Sequence, residues 1–229
     1  MMAEFLIRRS VVEAGHRLYA CGLVAATDGN ISARLPGRRL LVTPAGSCLG
    51  ELCAEDLIVV TDLSLSGRPP SDHLPARRRP TSELPLHLAA YAERPDIAAL
   101  VHAHPLTVTA FTVAGLTLDL PVLPEVLLSL GPIATAPYAT PSTGEGARVI
   151  RGIIGAHDVI VLDRHGAIAV GTDAIDACRK MEKLEQAARI LLNAHQLGRV
   201  QTLPEAEVER LNAMRLRCFQ TAPPTATPR

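Results

Sequence analysis

The segment from Ala99 to Pro105, "ALVHAHP", places two histidines one residue apart in an otherwise apolar run. Successive side chains of a β-strand point to opposite faces, so His102 and His104 would project from one face if residues 97–104 form a strand. Two imidazoles on one face can hold a metal ion between two nitrogen atoms. The alternative is a pair of ordinary polar residues on a solvated strand edge, and the pair alone leaves both interpretations open.

A third histidine, His165, lies in a predicted turn between two apolar segments, in "VLDRHGAI". The following residue, Gly166, allows the backbone to pass close to another group. Two histidines at positions i and i+2 of a strand plus one distant histidine form a common catalytic zinc site with an open coordination position. Taken alone, however, a histidine in a turn is more often an ordinary turn residue.

Glu83 begins a predicted helix directly after Ser82, which we expect to cap it. The unpaired N–H groups at a helix N-terminus favour anions, so Glu83 can be a helix-end carboxylate and nothing more. It can also be a general base, and the hydroxyls of Thr81 and Ser82 can then contact a phosphate. Two glycine-bearing turns, "TDGNISAR" and "VTPAG", are weak signals for further parts of a phosphate-binding site.

The elements that must position these residues alternate between strands and helices, which predicts one α/β domain over residues 1–220. We expect residues 221–229, "TAPPTATPR", to be a disordered tail. Capping boxes predict helices that begin after Ser10 and after Ser142. The remaining expected elements are strands in "NISARL", "RRLLVTP", "LIVVTDL" and 133–136, helices at 83–94 and 105–114, two strands joined at 163–166, and a long helix from Thr172 or Asp173 to Gly198.

The composition excludes several classes of protein. The 229 residues include 23 basic and 23 acidic ones, so the zero formal net charge predicts neither a nucleic-acid partner nor an anionic membrane surface. Apolar runs are shorter than a membrane span. Five cysteines without a C-x-x-C pair indicate a reduced, cytoplasmic protein, and we expect each cysteine to be a small core residue.

Six short motifs occur in a recognisable order: G-N-x-S, T-P-x-G, [ST]-S-E, H-x-H-P, A-P-Y-A and H-G. Together they resemble the class II aldolase/adducin family, and most of all its zinc-dependent fuculose-phosphate aldolases. The resemblance extends from about Val11 to Leu197. Each motif is weak alone, whereas six in order are specific.

The resemblance implies a single α/β domain with a central, mainly antiparallel sheet, assembled as a C4 homotetramer with active sites at subunit interfaces. It implies one Zn²⁺ per chain, held by His102, His104 and His165. Glu83 matches the catalytic glutamate, which also approaches the metal. The positions that match the family's phosphate-binding segments are Gly29, Asn30, Ala45, Gly46, Thr81 and Ser82.

The chain departs from the family pattern at its tyrosines. The aldolases carry one in the segment before A-P-Y-A, but here that segment is "LPEVLLSLGPIA", in which Glu125 is the single ionisable residue. A second family tyrosine near the C-terminus is also missing, because no tyrosine follows Tyr138. We therefore predict Glu125 as a second catalytic residue that points toward the zinc of its own or an adjacent subunit. A glutamate at the rim of a subunit contact is the alternative.

The resulting hypothesis is an aldolase that cleaves a ketose 1-phosphate to dihydroxyacetone phosphate and an aldehyde. The alternatives are a metal-dependent sugar-phosphate dehydratase, epimerase or decarboxylase of the same family, or a non-catalytic adducin-like interaction module. We expect the product to discriminate the enzymes: dihydroxyacetone phosphate from an aldolase, and a deoxygenated or isomeric sugar phosphate otherwise.

Overall fold

The computed structural model describes residues 2–61 and 79–218, so the predicted tail at 221–229 lies outside the described residues. Its helices are α1 (Met2–Ala20), α2 (Leu84–Glu93), α3 (Leu106–Val113), α4 (Pro124–Ser129), α5 (Gly144–Ile150), α6 (Ala174–Gln196) and α7 (Glu205–Cys218). Its strands are β1 (Asn30–Leu35), β2 (Arg39–Val42), β3 (Ile58–Val60), β4 (Ala99–Ala103), β5 (Ala134–Ala136), β6 (Val159–Leu162) and β7 (Gly166–Gly171). No helix among these residues is both long and apolar enough to span a membrane.

The strands form one seven-stranded sheet in the order β3-β2-β1-β4-β7-β6-β5. Every neighbouring pair is antiparallel except β5 and β6, which are parallel. The predicted fold class, a single α/β domain around a mainly antiparallel sheet, is therefore confirmed.

Apolar side chains alternate between the two faces of the sheet, and helices cover both. Val101 and Ala103 of β4 join a core with α1 and α6, whereas Leu100 joins a second core with α2 and α5. His102 lies two residues after Leu100 in β4, so it points to the same face of the sheet, and it is fully buried. The interpretation of His102 as a residue on a solvated strand edge is therefore wrong.

Two of the predicted helix starts are wrong, because local contacts other than the predicted capping boxes begin these helices. Helix α1 begins at Met2, and its first turns include an ion pair between Glu4 and Arg8 at 2.9 Å, so Ser10 lies inside the helix. Helix α5 is capped by Thr143, whose hydroxyl accepts the N–H of Glu145.

Ser82 also does not cap α2, because Glu83 is the N-cap residue and makes no side-chain cap bond. The hydroxyl that accepts the Glu83 N–H belongs to Thr81, at 3.3 Å. Ser82 instead lies on the surface, where its hydroxyl is 2.8 Å from that of Ser142.

Helices α4 and α7 were not predicted, and they pack against each other at the β5 edge of the sheet. The long helix α6 begins after Asp173 and is followed by Gly198 in a left-handed conformation, as predicted. The expectation for the cysteines is wrong in part: Cys178 is buried, but Cys21 and Cys53 are exposed.

Candidate metal centre

The sheet register brings the three histidines together. In the antiparallel pair of β4 and β7, His102 lies opposite Ile168 and Ala103 lies opposite Ala167. The turn that precedes β7 and carries His165 therefore reaches the end of β4, where His104 follows the strand. Local alternation predicted the His102–His104 pair, and the register supplies the third imidazole.

Gly166 makes this approach possible. It has a left-handed φ of 89°, and a Cβ at this position would lie 2.2 Å from the carbonyl oxygen of Ala103 and 2.9 Å from the Cα of His104. Any other residue would push the two ligand-bearing segments apart. A glycine between the turn and β7 is therefore a requirement of the site.

One ligand nitrogen from each of His102, His104 and His165 lies within 4.8 Å of the others. The Nε2 atoms of His102 and His104 are 3.0 Å apart. His102 donates its Nδ1–H to the carbonyl oxygen of Ala167 at 3.0 Å, because a carbonyl can only accept. In the neutral ring, this bond leaves the Nε2 lone pair directed at the centre of the cluster.

His104 is oriented by two further contacts. Its Nδ1 lies 3.4 Å from a carboxylate oxygen of Asp28, and its backbone N–H donates to the carbonyl of Leu23 at 2.9 Å. A carboxylate behind a metal-binding imidazole fixes the ring and increases its basicity. Asp28 is a residue of the site that the sequence did not indicate.

Glu83 faces the same nitrogens from the N-terminus of α2, and it is only 9% exposed. Its Oε2 lies 2.9 Å from Nε2 of His102, and its Oε1 lies 3.5 Å from Nε2 of His165. Burial raises the pKa of this carboxyl, but the neighbouring His102 and His165 outweigh burial and hold the pKa well below its usual range. Glu83 is therefore an ionised carboxylate that faces the imidazoles of His102 and His165.

The donor set fits a divalent metal ion. Burial and the charge of His102 lower the pKa of His104, and lower that of His165 to about 4, which favours the neutral form in which an imidazole can bind a metal. Burial also opposes the charged form of His102, but the Glu83 charge prevails and raises its pKa. At 2.9 Å, the His102 lone pair and the Glu83 oxygen repel each other unless a proton or a metal ion is shared between them.

The three predicted phosphate-binding segments also converge, around the buried Thr43. The Thr43 carbonyl accepts the N–H of Thr81 at 3.0 Å, and its hydroxyl accepts the N–H of Ile31 at 3.1 Å. A β-bridge between Pro44 and Pro80 joins the second and third segments. Thr43 thus connects segments that are about 50 residues apart in sequence, and sequence reasoning missed it.

Some groups in these segments are already occupied by contacts within the chain. The N–H of Ala45 donates to the carbonyl of Arg79 at 2.9 Å. The amide of Asn30 contacts Glu83 at 3.1 Å and the buried His87 at 2.5 Å. The exposed Gly46 and Ser82 and the left-handed Gly29 lie at the surface ends of the same segments.

His87, Ser32 and Tyr91 lie behind Asn30 and are further residues that sequence reasoning missed. The Nδ1 of His87 is 2.6 Å from the Ser32 hydroxyl, which is 3.0 Å from that of Tyr91. Burial lowers the pKa of His87 to about 3, so the ring is neutral. Spacing carried a usable signal, because His87 is one helical turn from Glu83 and Ser32 is two strand positions from Asn30.

Glu125 lies elsewhere on its own chain. It is exposed on α4 and lines a cleft with Leu23, Arg179 and Glu182. The pocket that contains Glu83 and His165 is lined by Pro137 and residues 139–143 instead. The structure therefore does not bring Glu125 into the metal pocket of its own chain, and contact with the metal of an adjacent subunit stays a prediction.

Comparison with known proteins identifies the class that this fold and site define. Residues 9–192 match the family model "Class II Aldolase and Adducin N-terminal domain". The chain belongs to this family, as its motifs predicted, and its three histidines are a group that could hold the metal ion on which the family depends.

Its relatives carry different activities. A 3-oxo-tetronate 4-phosphate decarboxylase of Haemophilus influenzae is 30% identical, with 92% of this chain and 98% of the relative covered. An L-fuculose phosphate aldolase of Methanococcus vannielii is 32% identical, with 80% and 93% covered. The crystal structure of YgbL from Klebsiella pneumoniae, described as an aldolase/epimerase/decarboxylase, matches with a TM-score of 0.80 and 31% identity over 91% of this chain and 98% of that chain.

Proposed function

We propose that this protein is a metal-dependent carbon–carbon lyase that forms and protonates the enediolate of dihydroxyacetone phosphate, with a 4-phosphorylated 3-oxo-tetronate as its substrate. The observation that carries the proposal is the position of Glu83, an ionised carboxylate that faces three converging imidazoles at a surface pocket. The relatives named as decarboxylases and aldolases support the substrate class.

The decarboxylase and aldolase reactions share one intermediate. In a 3-oxo-tetronate 4-phosphate, the C1–C2 bond breaks, carbon dioxide leaves, and the bonding electrons move into an enediolate across C2 and C3. In a ketose 1-phosphate, the C3–C4 bond breaks, an aldehyde leaves, and the electrons move into an enediolate across C2 and C3. Protonation of carbon then gives dihydroxyacetone phosphate in both cases, so the product expected to identify an aldolase does not separate it from this decarboxylase.

Different residues of the site have different roles in this reaction. A metal held by His102, His104 and His165 would supply Lewis-acid stabilisation of negative charge on the substrate oxygens, and three nitrogen ligands with an open position are typical of catalytic zinc. Glu83 is ionised at rest, so it first accepts the proton of the substrate C2 hydroxyl and then delivers it to the enediolate carbon, since it is the carboxylate that faces the cluster. Solvent supplies the one further proton that decarboxylation consumes. Gly29, Asn30, Ala45, Gly46, Thr81 and Ser82 stay the proposed phosphate-binding residues, with the exposed Gly46 and Ser82 as the direct contacts.

The positions of the three tyrosines favour decarboxylation over aldol cleavage. Aldol cleavage requires a base that removes the proton of the departing hydroxyl, whereas carbon dioxide leaves from an ionised carboxylate without such a base. Of the three tyrosines, Tyr91 is buried against Ser32, Tyr19 packs at Gly50, and Tyr138 is 57% exposed. The reaction that uses Glu83 alone therefore suits the residues of this chain best.

Aldol cleavage of a ketose 1-phosphate is the second candidate, and Glu125 is the observation that favours it. In the proposed homotetramer, an exposed carboxylate on α4 is available to an adjacent active site and can serve as the missing base. Glu125→Gln should then abolish aldol cleavage but leave decarboxylation within about threefold, because only the former needs the second base.

The test incubates purified protein of known metal content with 3-oxo-tetronate 4-phosphate, L-fuculose 1-phosphate or 5-deoxy-D-ribulose 1-phosphate in parallel assays. Dihydroxyacetone phosphate reports both reactions, and carbon dioxide or aldehyde identifies which bond broke. Stoichiometric carbon dioxide from the oxo acid supports the proposal. If a ketose phosphate yields an aldehyde and the oxo acid yields no carbon dioxide, the aldolase function is supported instead. A dehydrated or epimerised sugar phosphate as the product overturns both functions.

The metal content and the oligomeric state are measured separately. Elemental analysis should find about one zinc per chain. Light scattering during size-exclusion chromatography should give the mass of four chains of 24.4 kDa.

A further inference from the structure

A row of buried polar side chains leads from Glu83 into the space between β1 and α2. Its members are Glu83, Asn30, His87, Ser32 and Tyr91, and all of them are buried. Consecutive members are 3.1, 2.5, 2.6 and 3.0 Å apart, which are hydrogen-bond distances. Buried polar groups are costly unless each is paired, and here every member has a partner on the next.

The chemistry of each group fixes where the protons lie. A carboxylate only accepts, so Asn30 turns its NH₂ group toward Glu83 and its carbonyl oxygen toward His87. An amide oxygen also only accepts, so His87 carries its proton on Nε2. In the neutral ring Nδ1 is then an acceptor, and the Ser32 hydroxyl donates to it.

The Ser32 hydroxyl has one proton, so its contact with Tyr91 is a donation from the tyrosine. Every hydrogen bond in the row therefore points toward Glu83. Reversal of any one bond would place two acceptors face to face, because the row ends in a group that cannot donate.

We propose that His87 is a positioning residue for Glu83: its Nε2–H locks the Asn30 amide in the orientation that donates to Glu83 Oε2. This rests on the proposed role of Glu83 as the proton carrier. Without the His87 donor, the Asn30 amide can rotate and direct its oxygen at Glu83, and the repelled carboxylate then leaves the position that faces the imidazoles. Asn30 thereby acts on the acid–base group, in addition to its proposed place in the phosphate-binding segment.

The geometry agrees with a role in positioning rather than in substrate contact. His87 is fully buried and lies one helical turn after Glu83, on the face of α2 that packs on the sheet. Asn30 lies opposite His102 in the register of β1 and β4, and its amide is held between Glu83 on one side and His87 on the other.

Three variants test the proposal with the full chain. His87→Leu removes the donor, His87→Gln places an amide N–H near the former Nε2, and Tyr91→Phe removes only the far end of the row. We expect His87→Leu to lower kcat about 10-fold to 100-fold, as for other residues that orient a site, while KM and metal content change less than twofold. His87→Gln should recover most of kcat, and Tyr91→Phe should stay within about threefold of wild type.

A measurement that needs no substrate distinguishes a failure of this proposal from a failure of the proposed function. Nitrogen-15 NMR of histidine-labelled protein at pH 7 should show His87 as the neutral ring protonated on Nε2. A ring protonated on Nδ1 overturns the proposal, as does wild-type kcat in His87→Leu or equal impairment of His87→Gln and His87→Leu. If the wild type cleaves none of the sugar phosphates, the proposed function fails, whereas the tautomer still tests the orientation of the row.

Discussion

Glu83 and Glu185 are both buried carboxylates, and they differ in what their oxygens face. Glu185, on α6, accepts the backbone N–H and hydroxyl of Thr107 and the backbone N–H of Val108 at 2.7 to 3.2 Å. Arg189, one turn further along α6, adds a bond at 2.8 Å. These donors lie at the start of α3, so Glu185 caps that helix from a neighbouring one.

Glu83 accepts one hydrogen bond from the amide of Asn30, and its oxygens otherwise face His102 and His165. A buried charge whose oxygens meet N–H and O–H donors is complete within the fold. A buried charge that faces nitrogen lone pairs requires a proton or a metal ion between them. The comparison teaches that burial and charge alone do not identify a functional carboxylate, whereas the nature of its partners does.

The largest expected effect comes from loss of the proposed metal ion, which would balance the charge of Glu83. His104→Ala removes one of three imidazole ligands, and we expect both bound metal and turnover to fall to background. Elemental analysis and the carbon dioxide assay measure the two quantities. His195→Ala, which changes an exposed histidine on α6, is the matched control and should retain both. Turnover in metal-free His104→Ala would show that the cluster is not a catalytic metal site.

Glu83→Gln keeps an acceptor for Asn30 but cannot carry a proton. We expect turnover to fall by about 10²-fold or more, as is usual for an acid–base residue, while the metal content stays near that of wild type. The melting temperature should fall rather than rise, because the lowered pKa of Glu83 means that its ionised form stabilises the fold at pH 7. Unchanged turnover would make Glu83 a helix-end carboxylate like Glu185.

Glu185→Gln should lower the stability of the fold and leave turnover nearly unchanged. The neutral amide turns N–H groups toward the donors of Thr107 and Val108, so we expect the free energy of unfolding to fall by about 1–3 kcal/mol. Turnover per folded molecule should stay within about twofold, since Glu185 is not part of the metal pocket. Urea unfolding measures the change, with the exposed Glu93→Gln on α2 as the control. A stable Glu185→Gln with impaired turnover would contradict the distinction between the two carboxylates.

Asp158 supplies a third case, in which side-chain cations balance the charge. Burial raises its pKa, but Lys180 at 3.0 Å and Arg94 at 3.0 Å outweigh burial and lower it. A carboxyl with a lowered pKa stabilises the fold above its unfolded pKa of about 3.9, and this contribution is lost as the pH falls through the folded value.

We therefore expect Asp158→Asn to cost about 1 kcal/mol at pH 7, discounted for partial exposure, and less below pH ~4. Urea unfolding at pH 7 and at pH 3.5 measures this difference. An equal loss at both pH values would mean that packing, and not charge, accounts for the role of Asp158.

The sequence alone predicted the parts of the site that depend on local periodicity and short motifs. Alternation over residues 97–104 predicted that His102 and His104 share one face, and the helix-start pattern placed Glu83 at the N-terminus of α2. Both follow from backbone geometry within a few residues. The order of the motifs was specific enough to give the family and the mainly antiparallel sheet.

Which distant groups meet depends on the tertiary structure. The register of β4 with β7 brought His165 to the pair, and the register of β1 with β4 brought Asn30 to Glu83. His87 had no motif to recommend it, and its role follows from burial and from the acceptors on either side of it. A single sequence encodes periodicity within each element, but the pairing of elements depends on the packing of the whole chain, and so does the direction of every proton in a buried hydrogen-bonded row.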